Sequence, residues 1–579
     1  MKKRDKLHRS DIVMIITDQQ TWKQNWDPKW GNSPDNFPAM TKLLKNGLAF
    51  NNAHCNTCTC TSSRTTLFTG TFPAQHGATQ VLAFDDPYNE QNPPKGYTQA
   101  MQGQLKNNMQ NMFKMMESAG YEVVYKGKWH VSKPSTFINK KGIGPKKPDI
   151  NHLYWTEEDV DHLEKNYGIK GWNYPDAGDD ANIFNFGGGD VKKGGFNNDG
   201  RFVDGKGQSA WYGLKLPGKT IKQTKLKKIK ESTVNYIKNY KKRKPLFLVV
   251  SLVNPHDVLS YPGNETVSSK NGTPRNPPLY QLGGYVDDDF KDIKVKLPKT
   301  WNEELDTKPK IQSVWKTMMQ GVGEISTREV AQNYVKFYAY LTSLVDLEID
   351  KVLGALKNNK RTKDALIIRI SDHGDMAMSH GMLRQKMYNA YQQTINVPMI
   401  FSHPSFKESR TTEAMSGLID IMPTMAEIAG VKDKDYKFHG KSLLPILTGK
   451  EETVQDHIHF TFDDNYTQSA EPQKMGACHI RCVVQQKEGE TWKYAVYFDP
   501  DYGLEFEYEL YDLTNDPDEQ YNLGYEDLDK VLAPLKLGKV KTKIKKSSIK
   551  KKRKQMHVLL TKVMIEKGTM PDTLIWPKA

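Results

Sequence analysis

Four short apolar runs that each end abruptly in polar residues constrain the fold of this chain more than any other sequence feature. They span residues 11–17, 121–125, 246–253 and 365–371. Each run has the length and the content of β-branched residues that are typical of a buried strand. The stretches between them, notably 225–243 and 328–359, show the spacing of an amphipathic helix. Strands that alternate with helices predict an α/β protein with a mainly parallel sheet covered by helices.

Polar residues that can take part in chemistry follow all four runs. They are Asp18 and Gln19 after the first run, Lys128 and His130 after the second, His256 after the third, and Asp372 and His373 after the fourth. Lys128 and His130 are two residues apart, so we expect both side chains to leave one face of an extended segment. Ligands of parallel sheets bind beyond the carboxyl ends of the strands. We therefore expect these residues to line a common site.

The segment that begins at Cys60 is the strongest chemical motif in the chain. Its order is Cys60-Thr-Ser-Ser-Arg64, followed by Thr69-Gly70 and then by His76. A cysteine four residues before an arginine, on a turn that leads into a helix, lies where a cation and a helix N-terminus both favour an anion. The segment is therefore interpreted as a binding site for an oxyanion.

This segment closely resembles the signature of the sulfatase family, which is Cys-x-(Pro/Ala)-x-Arg followed by Thr-Gly. Ser62 stands where the family normally has proline or alanine. A second stretch, at 509–523, resembles the segment that closes sulfatases. The resemblance implies an alkaline-phosphatase-like α/β fold and the enzymatic oxidation of Cys60 to formylglycine. In the family, one hydroxyl of the hydrated aldehyde attacks sulfur, and the other later expels sulfate by re-forming the aldehyde.

A divalent cation is the second expected component of the site. Hard cations prefer carboxylate and amide oxygens, and the resemblance implies a metal site formed by Asp18, Gln19, Asp372, His373 and the modified Cys60. Calcium is the expected metal, and the histidine is also compatible with manganese or magnesium. The Asp-Gln and Asp-His pairs are closer to the choline-sulfatase and phosphonate-monoester-hydrolase branch than to other sulfatases.

The resemblance also implies catalytic roles for residues around that metal. Arg64 supports the nucleophile, Lys128 and Lys386 hold the sulfate group, and His130 and His256 transfer protons. Arg384 is the alternative to Lys386 if the correspondence shifts by two residues.

The length of 579 residues allows a large domain and a smaller one. We predict a catalytic domain at 1–450, with a loop-rich insertion at 134–217, and a C-terminal subdomain at 451–579. Shorter strand-like runs at 458–462, 480–485 and 492–498 predict an antiparallel sheet in the subdomain. A basic segment at 536–554 and a terminal helix complete it.

The formal net charge of +15 indicates an acidic partner, which includes nucleic acid, an anionic membrane surface and a sulfated or phosphorylated substrate. Much of this charge lies in the basic segment at 536–554, which no aromatic residue interrupts and which we expect to be a solvated loop. The spacings of nucleic-acid-binding motifs are not present, so a nucleic acid partner is not expected.

No apolar run approaches the roughly 20 residues of a membrane-spanning helix, so no membrane span is expected. The basic N-terminus leads directly into the first strand without a separate apolar segment or cleavage site. This predicts a cytoplasmic location for the sequence as it stands, and a secreted or periplasmic one if a presequence was removed. The five cysteines are expected to be free thiols.

Taken with the resemblance, these motifs predict a metal-dependent sulfuric ester hydrolase. Its expected partners are a small-molecule or carbohydrate sulfate ester and the enzyme that generates the formylglycine. Two alternatives remain open at this point. One is a phosphodiester or phosphonate monoester hydrolase on the same scaffold, since sulfuryl and phosphoryl groups are both tetrahedral. The other is an inactive protein whose basic surface binds polyanions.

Overall fold

The computed structural model describes most of the chain. The described residues are 7–22, 26–82, 103–132, 157–172, 199, 203–204, 215–216, 219–220, 231–263, 286–360, 362–406, 408–432, 434, 436–464, 472–534, 545–572 and 574–578. The predicted insertion at 134–217 lies largely outside them.

A seven-stranded sheet forms the centre of the molecule, in the order β10-β2-β9-β8-β1-β7-β4. Its strands are β1 (Ile12–Asp18), β2 (Gly47–Phe50), β4 (Glu122–Gly127), β7 (Leu246–Pro255), β8 (Leu366–Ser371), β9 (Met399–Ser402) and β10 (Arg410–Thr412). The four strands that the sequence predicted, β8-β1-β7-β4, are adjacent and parallel, while β9 runs antiparallel to β8 and β2. The predicted mainly parallel α/β fold is confirmed.

Helices cover both faces of this sheet. Alternate residues of a strand point to opposite faces, and both sets are apolar here, so both faces need cover. The described helices of seven or more residues are α1 (Pro38–Lys45), α2 (Cys60–Thr69), α3 (Met112–Ser118), α4 (Glu157–Tyr167), α5 (Thr233–Asn239), α6 (Lys310–Val322), α7 (Arg328–Asn358), α8 (Ile421–Ala429), α9 (Leu528–Pro534) and α10 (Lys546–Lys567). Met14 packs in the core that contains α2, α3 and α8. Val13 and Ile15 pack in the core that contains α1, α5 and α7.

Among the described helices, none is long and apolar enough to cross a membrane.

A second sheet of four antiparallel strands lies in the C-terminal part, as predicted. Its order is β12 (His457–Phe462), β13 (His479–Lys487), β14 (Glu490–Phe498) and β15 (Glu507–Asp512). Two-residue strands complete the described set at Ala53–His54 (β3), Lys215–Leu216 (β5), Lys219–Thr220 (β6) and Ser416–Gly417 (β11).

The prediction of a solvated loop at 536–554 is wrong for the second half of that segment, where α10 begins at Lys546. Ile549 and Met556 are buried against the four-stranded sheet, which supplies the apolar contacts that the lysine-rich sequence concealed. Lys552 lies over the ring of Trp492 at 4.9 Å, and Arg553 lies over the ring of Tyr508 at 4.3 Å. Long basic side chains can thus pack through their stems and still keep their charges near water.

The parallel strands place the predicted site residues at one edge of the central sheet. Thr17 of β1 is in register with Ser371 of β8. Asp18 is in register with Pro255 of β7, and Gly127 of β4 with Ser251 of β7. The polar residues that follow these positions therefore project from neighbouring strand ends, as the alternation of strands and helices requires.

Candidate active site

Cys60 is the first residue of α2, directly after the extended residue Thr59. All ten residues of this helix are buried. The Sγ atom of Cys60 lies 3.1 Å from Nε2 of His373 and 3.8 Å from Oδ1 of Asp18. The first turn of a helix has unpaired N–H groups and a partial positive charge, so this position suits an anionic nucleophile or ligand.

Four predicted metal ligands form a compact buried group in the structure. One ligand atom from each of Asp18, Cys60, Asp372 and His373 lies within 4.8 Å of the other three. Two carboxylates and one imidazole are a donor set that calcium, magnesium or manganese accepts. The residues present therefore fit a divalent cation.

The hydrogen bonds of His373 define which ring nitrogen is available to a metal. Nδ1 lies 3.0 Å from the carbonyl oxygen of Gly374, which can only accept, so Nδ1 has the proton. The lone pair of Nε2 then points towards Cys60 and Asp18. Burial lowers the pKa of His373 below its ordinary value, although the neighbouring carboxylates oppose this. The ring is therefore neutral at pH 7, as a metal ligand must be.

Arg64 connects the two carboxylates of the cluster. Its Nε donates to Oδ2 of Asp372 at 2.8 Å, and its Nη2 donates to Oδ2 of Asp18 at 3.0 Å. Nη1 donates to the hydroxyl of Ser251 at 2.7 Å and to the carbonyl of Lys128 at 3.1 Å. The guanidinium is fully buried, and the two carboxylates raise its pKa although burial opposes this. The planar fork of arginine holds both acids in fixed positions.

Lys128 brings a second cation to Asp18, with 2.6 Å between Nζ and Oδ2. Burial raises the pKa of Asp18, but Lys128, His256 and Arg64 together outweigh this effect and hold that pKa well below its ordinary range. Gly127 makes this approach possible, because its φ is +95° and a Cβ there would lie 1.8 Å from the carbonyl oxygen of Ser251. The Asp18 carboxylate is therefore ionised at any pH near neutrality.

Lys386 contacts the site through Gln19. Its Nζ donates to Oε1 of Gln19 at 2.9 Å and lies 3.4 Å from Nε2 of His256. The other end of the Gln19 amide donates to Oδ2 of Asp375 at 2.8 Å. The predicted ligand Gln19 thus contacts the predicted sulfate-binding lysine. Arg384, the alternative, instead donates to the carbonyl of Met319 and faces the ring of Tyr334, so Lys386 fits the predicted role better.

His130 is placed differently from the expectation based on alternation. Its φ is +52°, which is not the conformation of an extended segment, so the alternation argument fails at this residue. Nε2 donates to the carbonyl of Leu82 at 2.6 Å, and the amide of Leu82 donates to the hydroxyl of Thr61 at 3.0 Å. His130 is therefore connected to the residue after Cys60 through Leu82.

Sequence reasoning assigned no role to two residues of the site. Asp375 accepts hydrogen bonds from the Gln19 side chain and from the backbone amides of Ala377 and Gln385. Its position three residues after Asp372, in a run of polar residues at a strand end, was a usable signal. Ser251 accepts from Arg64, but it lies inside a buried apolar strand, where no sequence signal distinguishes it from a core residue.

Comparisons with known proteins support this picture. A family model described as Sulfatase matches residues 10–431. A second, described as N-sulphoglucosamine sulphohydrolase, C-terminal, matches residues 379–547.

Two curated relatives share low sequence identity with part of this chain. Arylsulfatase K of Gallus gallus is 28% identical over 36% of this chain and 38% of its own length. Delta 4,5-hexuronate-2-O-sulfatase of Bacteroides thetaiotaomicron is 26% identical over 51% of this chain and 55% of its own length. The chain thus spans about half, or less, of the length of these relatives.

Two solved structures have a similar fold over almost the full length. One, solved in complex with its substrate D-glucosamine-2-N,6-O-disulfate, has a TM-score of 0.56 at 18% identity and covers 98% of this chain and 99% of its own. The other, the phosphonate monoester hydrolase of Agrobacterium radiobacter, has a TM-score of 0.57 at 18% identity and covers 98% and 97%. At this identity, the similarity establishes a common architecture.

Proposed function

The chain belongs to the sulfatase family, and we propose that it hydrolyses a sulfate ester through a formylglycine generated from Cys60. The observation that supports this most strongly is the convergence of remote residues on one buried cluster. Asp18, Cys60, Asp372 and His373 come from two strand ends and a helix start, yet their ligand atoms lie within 4.8 Å of one another. Packing of the fold alone gives no reason for a thiol, two acids and an imidazole to meet at one buried point.

The charges around the cluster favour an anionic substrate. Arg64, Lys128 and Lys386 bring three cations to the three carboxylates Asp18, Asp372 and Asp375, so a bound divalent cation would make the site net positive. In a buried site these charges are screened much less than in water. We assign Lys128 and Lys386 to the oxygens of the sulfate group, where preorganised cations stabilise developing negative charge.

A divalent cation would be held by Asp18, Asp372, His373 and the oxygen of the modified Cys60, with Gln19 beside it. Bound there, it would act as a Lewis acid on sulfate and nucleophile oxygens. We propose calcium because oxygen donors dominate, and a single neutral imidazole also admits manganese or magnesium. Arg64 keeps the two carboxylates apart and oriented.

Conversion of Cys60 requires a formylglycine-generating partner enzyme, and it would supply an oxygen nucleophile that a thiol does not provide. We assign proton transfer to His256 and His130. The Nε2 of His256 is 3.4 Å from Nζ of Lys386, so it lies beside the proposed sulfate clamp, where the leaving oxygen must also be. His130 is connected to α2 by two hydrogen bonds in series, from its Nε2 to the carbonyl of Leu82 and from the amide of Leu82 to Thr61.

We propose a sulfated carbohydrate as the substrate class. One relative is named as a hexuronate 2-O-sulfatase, and one structural neighbour was solved with a sulfated glucosamine. The C-terminal match is to a family model named for N-sulphoglucosamine sulphohydrolase. The net charge of +15 is favourable for a polyanionic glycan.

The decisive experiment combines a mass measurement with a substrate comparison. The protein is produced with a formylglycine-generating enzyme, and the peptide that contains Cys60 is expected to be about 18 Da lighter than its cysteine form. The converted protein is then assayed on an aryl sulfate, an aryl phosphonate and a set of sulfated disaccharides. We expect the sulfates to be cleaved and Cys60→Ala to abolish the activity.

Cys482→Ala is the matched control, because Cys482 is also fully buried but lies in the C-terminal sheet. It should retain activity on sulfate esters. Preferential cleavage of the phosphonate would identify the alternative hydrolase. Two results together would contradict the proposed enzyme. The fully converted wild-type protein would cleave neither ester, and the Cys60→Ala variant would still bind polyanions.

A further inference from the structure

The loop 376–391, here called the Lys386 loop, has an unusual concentration of left-handed backbone. The positive φ angles of its non-glycine residues are those of Ala377 (42°), Met378 (70°), His380 (50°), Met382 (68°), Gln385 (63°) and Tyr388 (57°). Residues with a Cβ are strained in this region relative to the right-handed one. The loop therefore does not adopt this path by its own preference, and its surroundings must hold it.

One end of the loop is held by a buried ion pair from the C-terminal part of the chain. Lys493 of β14 pairs with Glu519, and the exposed fractions of the two side chains are 1% and 0%. Lys493 donates to the carbonyl of Ala390, and Glu519 Oε2 accepts from the amide of Gln392 at 2.7 Å. The pair thus contacts the backbone four and six residues after Lys386.

A second contact holds the middle of the loop. Nδ1 of His380 lies 2.7 Å from Oε2 of Glu303, and Oε1 of Glu303 pairs with Lys308 at 3.0 Å. Lys308 in turn donates to the carbonyl of Glu519 at 2.9 Å. The ring of His380 stacks on Tyr391 at 3.8 Å. Glu519 therefore contributes to both attachments, once through its side chain and once through its carbonyl.

We propose that Glu519, together with Lys493, is a positioning residue for Lys386, and this inference rests on the sulfatase function proposed above. The pair fixes the strained loop so that Nζ of Lys386 meets Gln19 and His256 at the site. It gives a function to the stretch 509–523, which the sequence singled out although it lies far from the nucleophile in the chain. A displacement of about 1 Å at such a clamp costs up to roughly 100-fold in rate.

The test must separate loop positioning from simple loss of stability. Glu519→Gln alone leaves Lys493 buried without its counter-charge and destabilises the fold. The double variant K493M/E519L removes both charges, and such replacements are often neutral for stability. It also removes the bonds to Ala390 and Gln392. We therefore use this double variant in the full-length, converted protein, and K493R as the conservative variant that retains a cation.

In K493M/E519L we expect inorganic sulfate to bind about tenfold more weakly by calorimetry, and KM for an aryl sulfate to rise more than kcat falls. Hydrogen exchange in peptides covering 376–392 should become faster than in the wild-type protein. The single variant K493R should bind sulfate more tightly than K493M/E519L does, because it retains a cation beside Glu519. Metal content and the mass of the Cys60 peptide should not change. The control R481M/D463L/H479Q removes another buried group of charges beside the same sheet and should leave sulfate affinity unaltered.

Wild-type sulfate affinity together with wild-type exchange of the loop in K493M/E519L would overturn the inference. Exchange and sulfate binding do not require turnover, so they test positioning even in a protein that cleaves no ester. Failure of the proposed function would instead appear as a converted wild-type protein without sulfate-ester hydrolysis.

Discussion

The Nζ atom of Lys128 lies 2.6 Å from Oδ2 of Asp18, and neither side chain has any exposed surface. Lys128→Met should therefore destabilise the fold by about 3 kcal/mol, because it leaves a buried carboxylate with less compensation. If Lys128 has the role proposed for it at the sulfate group, the variant should also reduce kcat/KM by at least about 100-fold, because it loses a cation placed to stabilise the transition state. Urea denaturation and steady-state kinetics measure the two effects.

The matched control for that variant is Lys42→Met. Lys42 forms an ion pair of 2.5 Å with Asp350, but its side chain is 58% exposed, so the expected loss is below about 1 kcal/mol. Equal losses in the two variants would contradict the importance assigned to the buried pair.

Asp372→Asn should weaken metal binding by at least about 10- to 100-fold, since it removes one of the two carboxylates of the cluster. Wild-type protein stripped with a chelator should gain stability when calcium is returned, by about 2.7 kcal/mol at a hundredfold excess over Kd. The variant should show little increase in Tm. Parallel titrations with manganese and magnesium identify the preferred ion, and Asp350→Asn serves as the surface control.

Gly127→Ala should be more harmful than Gly77→Ala, although both glycines have left-handed φ angles of +95° and +74°. A Cβ at Gly127 meets the carbonyl of Ser251 at 1.8 Å, whereas none of the described atoms lies within 4 Å of a Cβ at Gly77. We expect about 1–2 kcal/mol for Gly77→Ala from backbone strain alone. Gly127→Ala should cost about 1–3 kcal/mol more and should also displace Lys128. Similar melting temperatures and similar activities would be inconsistent with this geometry.

The contact between His479 and Asp463 should make stability depend on pH in the alkaline range. Burial lowers the pKa of His479, but its 3.1 Å hydrogen bond to Asp463 raises that pKa to about 10. Because the unfolded value is about 6.5, the contribution is complete below pH 6.5 and is lost as the pH rises towards 10. Wild-type Tm should therefore fall more steeply than that of His479→Gln between pH 7 and 10. Parallel curves would show that the pair contributes nothing.

The strand ends could be predicted from sequence because they depend on local features. The run predicted at 11–17 is observed as Ile12–Asp18, and the run predicted at 365–371 as Leu366–Ser371. A buried parallel strand has a continuous apolar sequence, and the residue after it is forced to the edge of the sheet. The acids and lysines of the site that follow these strands are thus recognisable from the sequence.

Contacts between distant segments could not be predicted in the same way. The hydrogen bond from Lys386 to Gln19 joins residues 367 positions apart, and the orientation of each depends on a left-handed or strained backbone. The helix at the end of the basic segment could not be predicted, because apolar residues such as Ile549 and Met556 are sparse among the neighbouring lysines. Their helical face becomes apparent only against the sheet that buries it.

The complete burial of α2 has a consequence for the biosynthesis of the protein. No residue from Cys60 to Thr69 is left at the surface, so a protein-sized catalyst cannot grip this segment once the helix has docked. Any enzymatic oxidation of the thiol must then compete with folding in the nascent chain. Under the proposed formylglycine chemistry, a polypeptide that folds before its thiol is oxidised would stay folded but inactive.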